Sequence, residues 1–161
     1  MDKEKIENYL DLIDKSAYTP SDISMMPALN LAYIGDCVFE LLVRSKIISE
    51  NKSAVNILHK RSSSFARAGA QSEMYYNIID FLKEDELSVL KRGRNAKSQT
   101  KAKNATVSEY RHATGLEALF GYLFLKGDNK RIIELFEICT NKRGKNSGEK
   151  EEYAHKENGR Q

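Results

Sequence analysis

Residues 28–48 read ALNLAYIGDCVFELLVRSKII, and this stretch decides the fold class. Its apolar residues recur at spacings of three and four rather than alternating, which is the period of a helix and not of a strand. Pro27 stands where a first helical turn accepts proline, because the N–H it lacks has no partner there anyway. Before Arg44 the only charges are Asp36 and Glu40. The chain's two prolines, Pro20 and Pro27, both lie at or before this point, and the same three-four spacing continues beyond it. The expectation is an all-α helical bundle.

Upstream, Ile6, Tyr9, Leu10 and Ile13 form an i, i+3, i+4, i+7 stripe of a first short helix, and the stretch from Ser16 to Pro27 reads as a break. Downstream, the segment from Ser53 to Leu82 reads as two helices divided near Gly69 to Gln71. Asp85 to Lys91 reads as a short helix with Leu87 and Leu90 inward and Gly93 as its stop. RNAKSQTKAKNAT, from Arg94 to Thr106, is polar without periodicity and reads as a loop. Val107 to Leu125 resumes the helical pattern, with Tyr110, Leu116, Leu119, Phe120 and Leu123 inside. Gly127-Asp128 turns the chain into a last helix carrying Ile132, Ile133, Leu135, Phe136 and Ile138. No internal repeat occurs.

With 161 residues, 40% of them hydrophobic, one domain over 1–141 is the expectation. Residues 142–161 are Lys, Glu, Gly and Asn with scarcely an apolar side chain, which predicts a disordered tail. Cys37 and Cys139 lie far apart without Cys or His at ligand spacing, so zinc-ribbon and disulfide-scaffold readings fail and a reducing cytoplasm fits. The start, MDKEKIENYLDLIDK, carries acids and no apolar h-region, and nowhere do 18 apolar residues run unbroken. Neither secretion nor a membrane span is expected.

Three departures from an ordinary helical pattern carry chemistry. Asp36 is a carboxylate among Tyr33, Ile34, Cys37 and Val38, costly to bury unless a cation pairs with it. Glu40, four residues on, shares its helix face. The bland alternative is an Arg or Lys partner from a neighbouring helix, or a wet face. Glu117 is the second, the only acid between Glu109 and Asp128, set among Leu116, Ala118, Leu119 and Phe120. Ala113, Gly115 and Gly121 around it would let another helix approach closely, and two acids on facing helices make an oxygen-rich site of the kind Mg²⁺ takes.

The third departure is charge. The net charge is only +3, yet Lys91, Arg92, Arg94, Lys97, Lys101 and Lys103 fall within thirteen positions without an acid, so the rest of the chain sums to −3. Interleaved Asn95, Ser98, Gln99, Thr100 and Asn104 add small hydrogen-bonding groups. The combination suits a phosphate backbone, although a solvated loop has the same composition. The segment is no P-loop, because Lys91 and Ala96 stand where both glycines belong and no strand precedes it. His59 and His112 read as helix-face residues and His155 as tail. Cys37, Tyr33, Tyr110 and Tyr122 read as core.

LAYIGDCVFELLVR (31–44) and KRGRNAKSQTKAKNATVSEYRHATGLEALFGYLFL (91–125) together resemble the catalytic domain of the ribonuclease III family, and specifically its short Mini-ribonuclease III form, over roughly Ala28 to Phe136. Gly35-Asp36 matches the Gly-Asp of the family's signature helix and Glu117-Ala118 its Glu-Ala pair. A Lys-Arg-Gly-Arg-Asn-Ala-Lys-Ser segment and Tyr110-Arg111 stand between them. Two further acids of the longer enzymes are replaced here by Ala32 and Thr114, which implies a less negative site with more water around its metal.

The resemblance implies a homodimer of ribonuclease III endonuclease folds, joined mainly through Ala28 to Ile48. It implies Mg²⁺-dependent cleavage of double-stranded RNA, with Asp36 and Glu117 as catalytic residues and metal ligands and Glu40 in support. Lys91, Arg92, Arg94, Asn95, Lys97, Ser98, Lys101, Lys103, Asn104 and Arg111 would contact RNA. Maturation of the ends of 23S ribosomal RNA precursor in a bacterial cytoplasm is the implied task. The competing class is a non-catalytic RNA-binding or ribosome-assembly protein of the same fold. A helical phosphohydrolase is disfavoured because no His is followed by Asp.

Overall fold

The computed structural model describes residues 17–50, 52–97 and 104–141. Among them it contains seven α-helices: α1 (Pro20–Met25), α2 (Ala28–Glu50), α3 (Val55–Ala66), α4 (Ala68–Ile78), α5 (Glu84–Asn95), α6 (Val107–Lys126) and α7 (Asn129–Thr140), with a 3₁₀ turn at Ile79–Phe81. No strand occurs among the described residues, so the all-α expectation holds. The expected helix around Ile6 to Ile13 and the tail from 142 onward lie outside the described residues.

Helix α6 is the axis of the bundle. Thr106 caps its start, accepting from the Glu109 N–H while Glu109 reaches back to the Thr106 N–H, and Gly127 at φ 79° closes its end. From 112 to 124 every residue except Glu117 is buried, because α2, α4, α5 and α7 surround it. Helix α2 lies against it through Leu31, Ala32, Gly35, Val38, Phe39, Leu42 and Val43, all buried. Phe39 meets Phe120 and Phe136 edge-on, with ring centroids 5.4 and 5.7 Å apart. Asp128 caps α7 by accepting from the Arg131 N–H. Arg131 then forms a bidentate pair with buried Glu86 of α5, both contacts 2.9 Å, and donates to the Phe81 carbonyl at 2.6 Å.

Several readings of the sequence are corrected. The stretch from Ser16 to Pro27 is not simply a break: α1 lies within it, capped by Thr19 in a full capping box with Asp22. The division between α3 and α4 falls at Arg67, whose extended backbone (φ −67°, ψ 140°) ends one helix and begins the next; Gly69 to Gln71 are already helical. Gly93 does not stop α5. A Cβ there would lie 2.8 Å from the Ala118 Cβ and from the Gly115 Cα, so it is the residue that lets α5 reach α6. Helix α5 accordingly runs on through Arg94 and Asn95, which the sequence assigned to the loop.

Candidate active site

The site begins with two glycines. A Cβ on Gly35 would fall on the carbonyl oxygen of Glu117, and one on Gly121 would fall on the carbonyl oxygen of Leu31. Helices α2 and α6 therefore cross backbone to backbone, at a separation no other residue type permits at these two positions. Each glycine stands beside or one turn from an acid: Gly35 precedes Asp36, and Gly121 follows Glu117 by four residues. The crossing brings the two carboxylates into one electrostatic neighbourhood, as the sequence predicted for acids on facing helices.

Their environments differ. Asp36 is exposed, at the seam between the buried face of α2 and its open face. Glu117 is the partly buried exception in an otherwise sealed stretch. Burial, and then the negative charge of Asp36, push the Glu117 carboxyl up to about 7, against a hydrogen bond from Gln71 that pulls the other way. Asp36 is also raised, by burial first and then by Glu40. A buried carboxyl whose ionisation a neighbouring carboxylate opposes is a donor that a hard cation would satisfy. Among the described residues no group of three or more His, Cys, Asp or Glu side chains could hold a metal, so a cation here would take two protein carboxylates and complete its shell with water.

A cavity of about 230 Å³ adjoins Asp36, lined by Asp36, Phe39, Glu40, Val43, Ser62, Ala66 and Gln71. Glu40 is exposed and accepts from Arg44 Nε at 3.0 Å, so it borders the site while already holding a cationic partner. The two positions where the resemblance would place further acids are closed: Ala32 is 6% exposed and Thr114 7%, and the Thr114 hydroxyl donates to the Tyr110 carbonyl at 3.0 Å.

Gln71 was not singled out in the sequence, although a signal existed. Gln71, Met74, Tyr75 and Ile78 stand at i, i+3, i+4, i+7, and all four are buried; a polar residue occupies the first place of an apolar stripe. Reading Gly69 to Gln71 as a turn hid it. His112, read as a helix-face residue, is instead 3% exposed, stacked on Tyr75 with centroids 4.4 Å apart and 2.8 Å from the Ser72 hydroxyl. Tyr33 and Cys37 are exposed rather than core, because they lie on the side of α2 away from α6. Tyr122 is buried, with its hydroxyl donating to Asp85 at 2.8 Å.

The basic segment divides into three. Lys91, Arg92, Arg94 and Asn95 ride the last turns of α5, and Lys97 follows at once. The crossing of Gly93 with Gly115, whose Cβ would lie 2.7 Å from the Leu90 carbonyl and 3.2 Å from the Arg94 N–H, sets this end of α5 two residues along α6 from Glu117. Lys91, Asn95 and Lys97 are exposed, as are Asn104 and Arg111. Arg92 is half-buried and donates to the Met26 carbonyl at 3.3 Å, so part of its role is holding the α1 to α2 junction. Ser98, Lys101 and Lys103 lie outside the described residues.

Residues 29–128 match the Ribonuclease III domain family. The chain is 45% identical over 141 residues to a Mini-ribonuclease 3 of Clostridium tetani, covering 83% of this chain and 93% of that one. It is 42% identical over 122 residues to one of a Thermoanaerobacter species, covering 76% and 86%. A crystal structure of a Fusobacterium nucleatum protein superposes with a TM-score of 0.66 at 31% identity, covering 70% of this chain and 92% of that one.

Proposed function

The chain belongs to the ribonuclease III family and is a double-strand-specific endoribonuclease; we propose that it cuts RNA duplexes with Mg²⁺ held by Asp36 and Glu117, and that its task is to mature the ends of 23S ribosomal RNA precursor in the cytoplasm. The observation that supports the metal assignment is the backbone-to-backbone crossing of α2 and α6 at Gly35 and Gly121, which brings the charge of Asp36 to bear on Glu117. The 23S assignment rests on the family likeness alone.

The bound ion supplies Lewis-acid stabilisation of the phosphate oxygens and a water of lowered pKa. Glu117 serves in its ionised form, which the Gln71 amide favours. Lys91, Arg94, Asn95, Lys97, Asn104 and Arg111 grip the phosphate backbone at the end of α5 and the start of α6, with Ser98, Lys101 and Lys103 continuing the same basic run. Such contacts give affinity that falls steeply with salt and reads the shape of A-form RNA rather than its sequence. The open side of α2 carries Tyr33 at 82% exposed, Ile48 at 65% and Leu41 at 49%, with Cys37 between them. An apolar stripe of this kind supports a homodimer across α2, whose two sites would cut opposite strands and leave staggered 5′-phosphate ends.

The test is incubation with a perfectly paired RNA duplex, with and without Mg²⁺, followed by mapping of the end groups. Asp36→Asn is expected to abolish cleavage while retaining duplex binding. If the unaltered protein binds the duplex but leaves it uncut whichever divalent ion is supplied, the non-catalytic RNA-binding reading replaces this one.

A further inference from the structure

We propose that the cavity at Asp36 is a ribose subsite, in which the buried amide of Gln71 reads the 2′-hydroxyl of a nucleotide adjoining the scissile phosphate. This rests on the reading of Asp36 as a catalytic residue.

Three helices enclose the cavity. Asp36, Glu40 and two apolar side chains come from α2, Ser62 and Ala66 from α3, and Gln71 from α4. The two charged members of the lining are both acids, so no lining side chain attracts a phosphate. The Ser62 hydroxyl donates to the Leu58 carbonyl at 2.8 Å and keeps only lone pairs for a guest. Gln71 is 2% exposed, and a primary amide is costly to bury unless its hydrogen-bonding groups are used. Among the described residues no hydrogen bond is made to its carbonyl oxygen. A buried acceptor thus borders the cavity with its capacity unspent. The next residues fix the helix that carries it, since Ser72 meets His112 at 2.8 Å and Tyr75 stacks on the same ring.

A guest suited to this lining is uncharged, presents a hydroxyl, and turns C–H groups towards the apolar walls. A ribose does all three, and a 2′-deoxyribose lacks the hydroxyl. In A-form RNA the 2′-hydroxyls stand in the shallow minor groove, open to side chains, and they distinguish RNA from DNA at a given site. Every internal phosphate of the strand is bonded to a ribose on each side. A phosphate held at Asp36 therefore brings a ribose beside the cavity that Asp36 lines. Its 2′-hydroxyl donates to the Gln71 carbonyl oxygen, the group the protein leaves unused.

The experiment measures kcat/KM with Mg²⁺ on an RNA duplex of mapped cut site and on two versions of it. Each version carries one 2′-deoxynucleotide, before or after the scissile phosphate. For the unaltered protein one of the two is expected to lose about tenfold in kcat/KM, the worth of one hydrogen bond. Gln71→Met, unbranched and without the amide, is expected to lose about tenfold on the all-ribose duplex and nothing further on the deoxy version. General damage to the site would slow every duplex alike and leave the preference intact, which separates reading from packing. Thermal unfolding checks the fold of each variant.

If Gln71→Met keeps the full penalty for the missing hydroxyl, or the unaltered protein shows none at either position, the subsite is overturned while the catalytic reading of Asp36 stands. If Asp36→Asn cuts the all-ribose duplex as the parent does, that reading falls and this proposal with it. Should Gln71→Met not fold, Ala66→Leu decides, because Ala66 is an exposed member of the lining and a larger side chain there takes up the space of the guest. It is expected to lose about tenfold on the all-ribose duplex with a diminished penalty for the deoxy version; the parent's rates and preference would overturn the proposal.

Discussion

Replacing Glu117 with glutamine should stabilise the metal-free protein at neutral and higher pH while destroying its activity. The folded-state carboxyl titrates at about 7 instead of near 4.5, because it is buried and faces Asp36. The native state thus holds this proton more tightly than the unfolded chain. The stability it contributes is complete below about pH 4.5 and is lost as pH rises through about 7. At about 1.4 kcal/mol per pKa unit, the loss reaches about 3 kcal/mol above neutrality. Glutamine keeps the volume but has no charge to desolvate. For a domain of this size, Glu117→Gln should therefore melt roughly 6 to 12 °C higher than the parent at about pH 8 in chelator, and level with it below about pH 4.5. Added Mg²⁺ should narrow the gap by stabilising the parent alone. The measurement is thermal unfolding of both proteins across that range, read as a difference so that other titrations cancel. Coincident curves at every pH, or a variant less stable at high pH, would refute the reasoning.

Gly35→Ala, which adds one methyl group and no charge, should cost at least about 3 kcal/mol in urea unfolding and most of the cleavage activity, since the new carbon meets the Glu117 backbone. Lys91→Ala together with Lys97→Ala should leave folding unchanged and reduce the slope of log binding constant against log salt by about two, one for each lysine that neutralises a phosphate; an unchanged slope would remove these residues from the interface. Leu41→Glu should convert a dimer to a monomer in sedimentation velocity, because it sets a charge in the apolar stripe of α2, and a variant that sediments like the parent would place the dimer contact elsewhere.

What could be read from the sequence was whatever depends on periodicity and on capping. The helices around Ala28–Glu50, Val107–Lys126 and Asn129–Thr140 emerged close to their true bounds, and so did the turn at Gly127-Asp128, where glycine adopts a positive φ and aspartate caps the next helix. The pairing of Asp36 with Glu117 was legible because acids interrupting apolar helices are costly, and the small residues around Glu117 announced a close approach.

Less legible was which glycine faces which. Gly93 has the same local signature as a helix stop, and only the presence of Gly115 opposite reveals it as a packing residue, with the consequence that half of the basic run is helical. The same limit applies to sidedness. Tyr33, Cys37 and His112 are amphipathic or small, so their burial depends on which helix lies beside them: α4 seals His112 of α6 under Tyr75, while Tyr33 on α2 stays open to solvent. Gln71 fell to a break placed two to four residues late, which took it out of the stripe that would have marked it as a buried amide.

The central claim is that Asp36 and Glu117 share one divalent cation at the α2–α6 crossing. Its most direct test is anomalous scattering from crystals of the full chain grown with Mn²⁺. A single strong peak in contact with oxygens of both carboxylates, absent in Glu117→Gln crystals, is the predicted result. A peak held by other residues, or by neither acid, would contradict it.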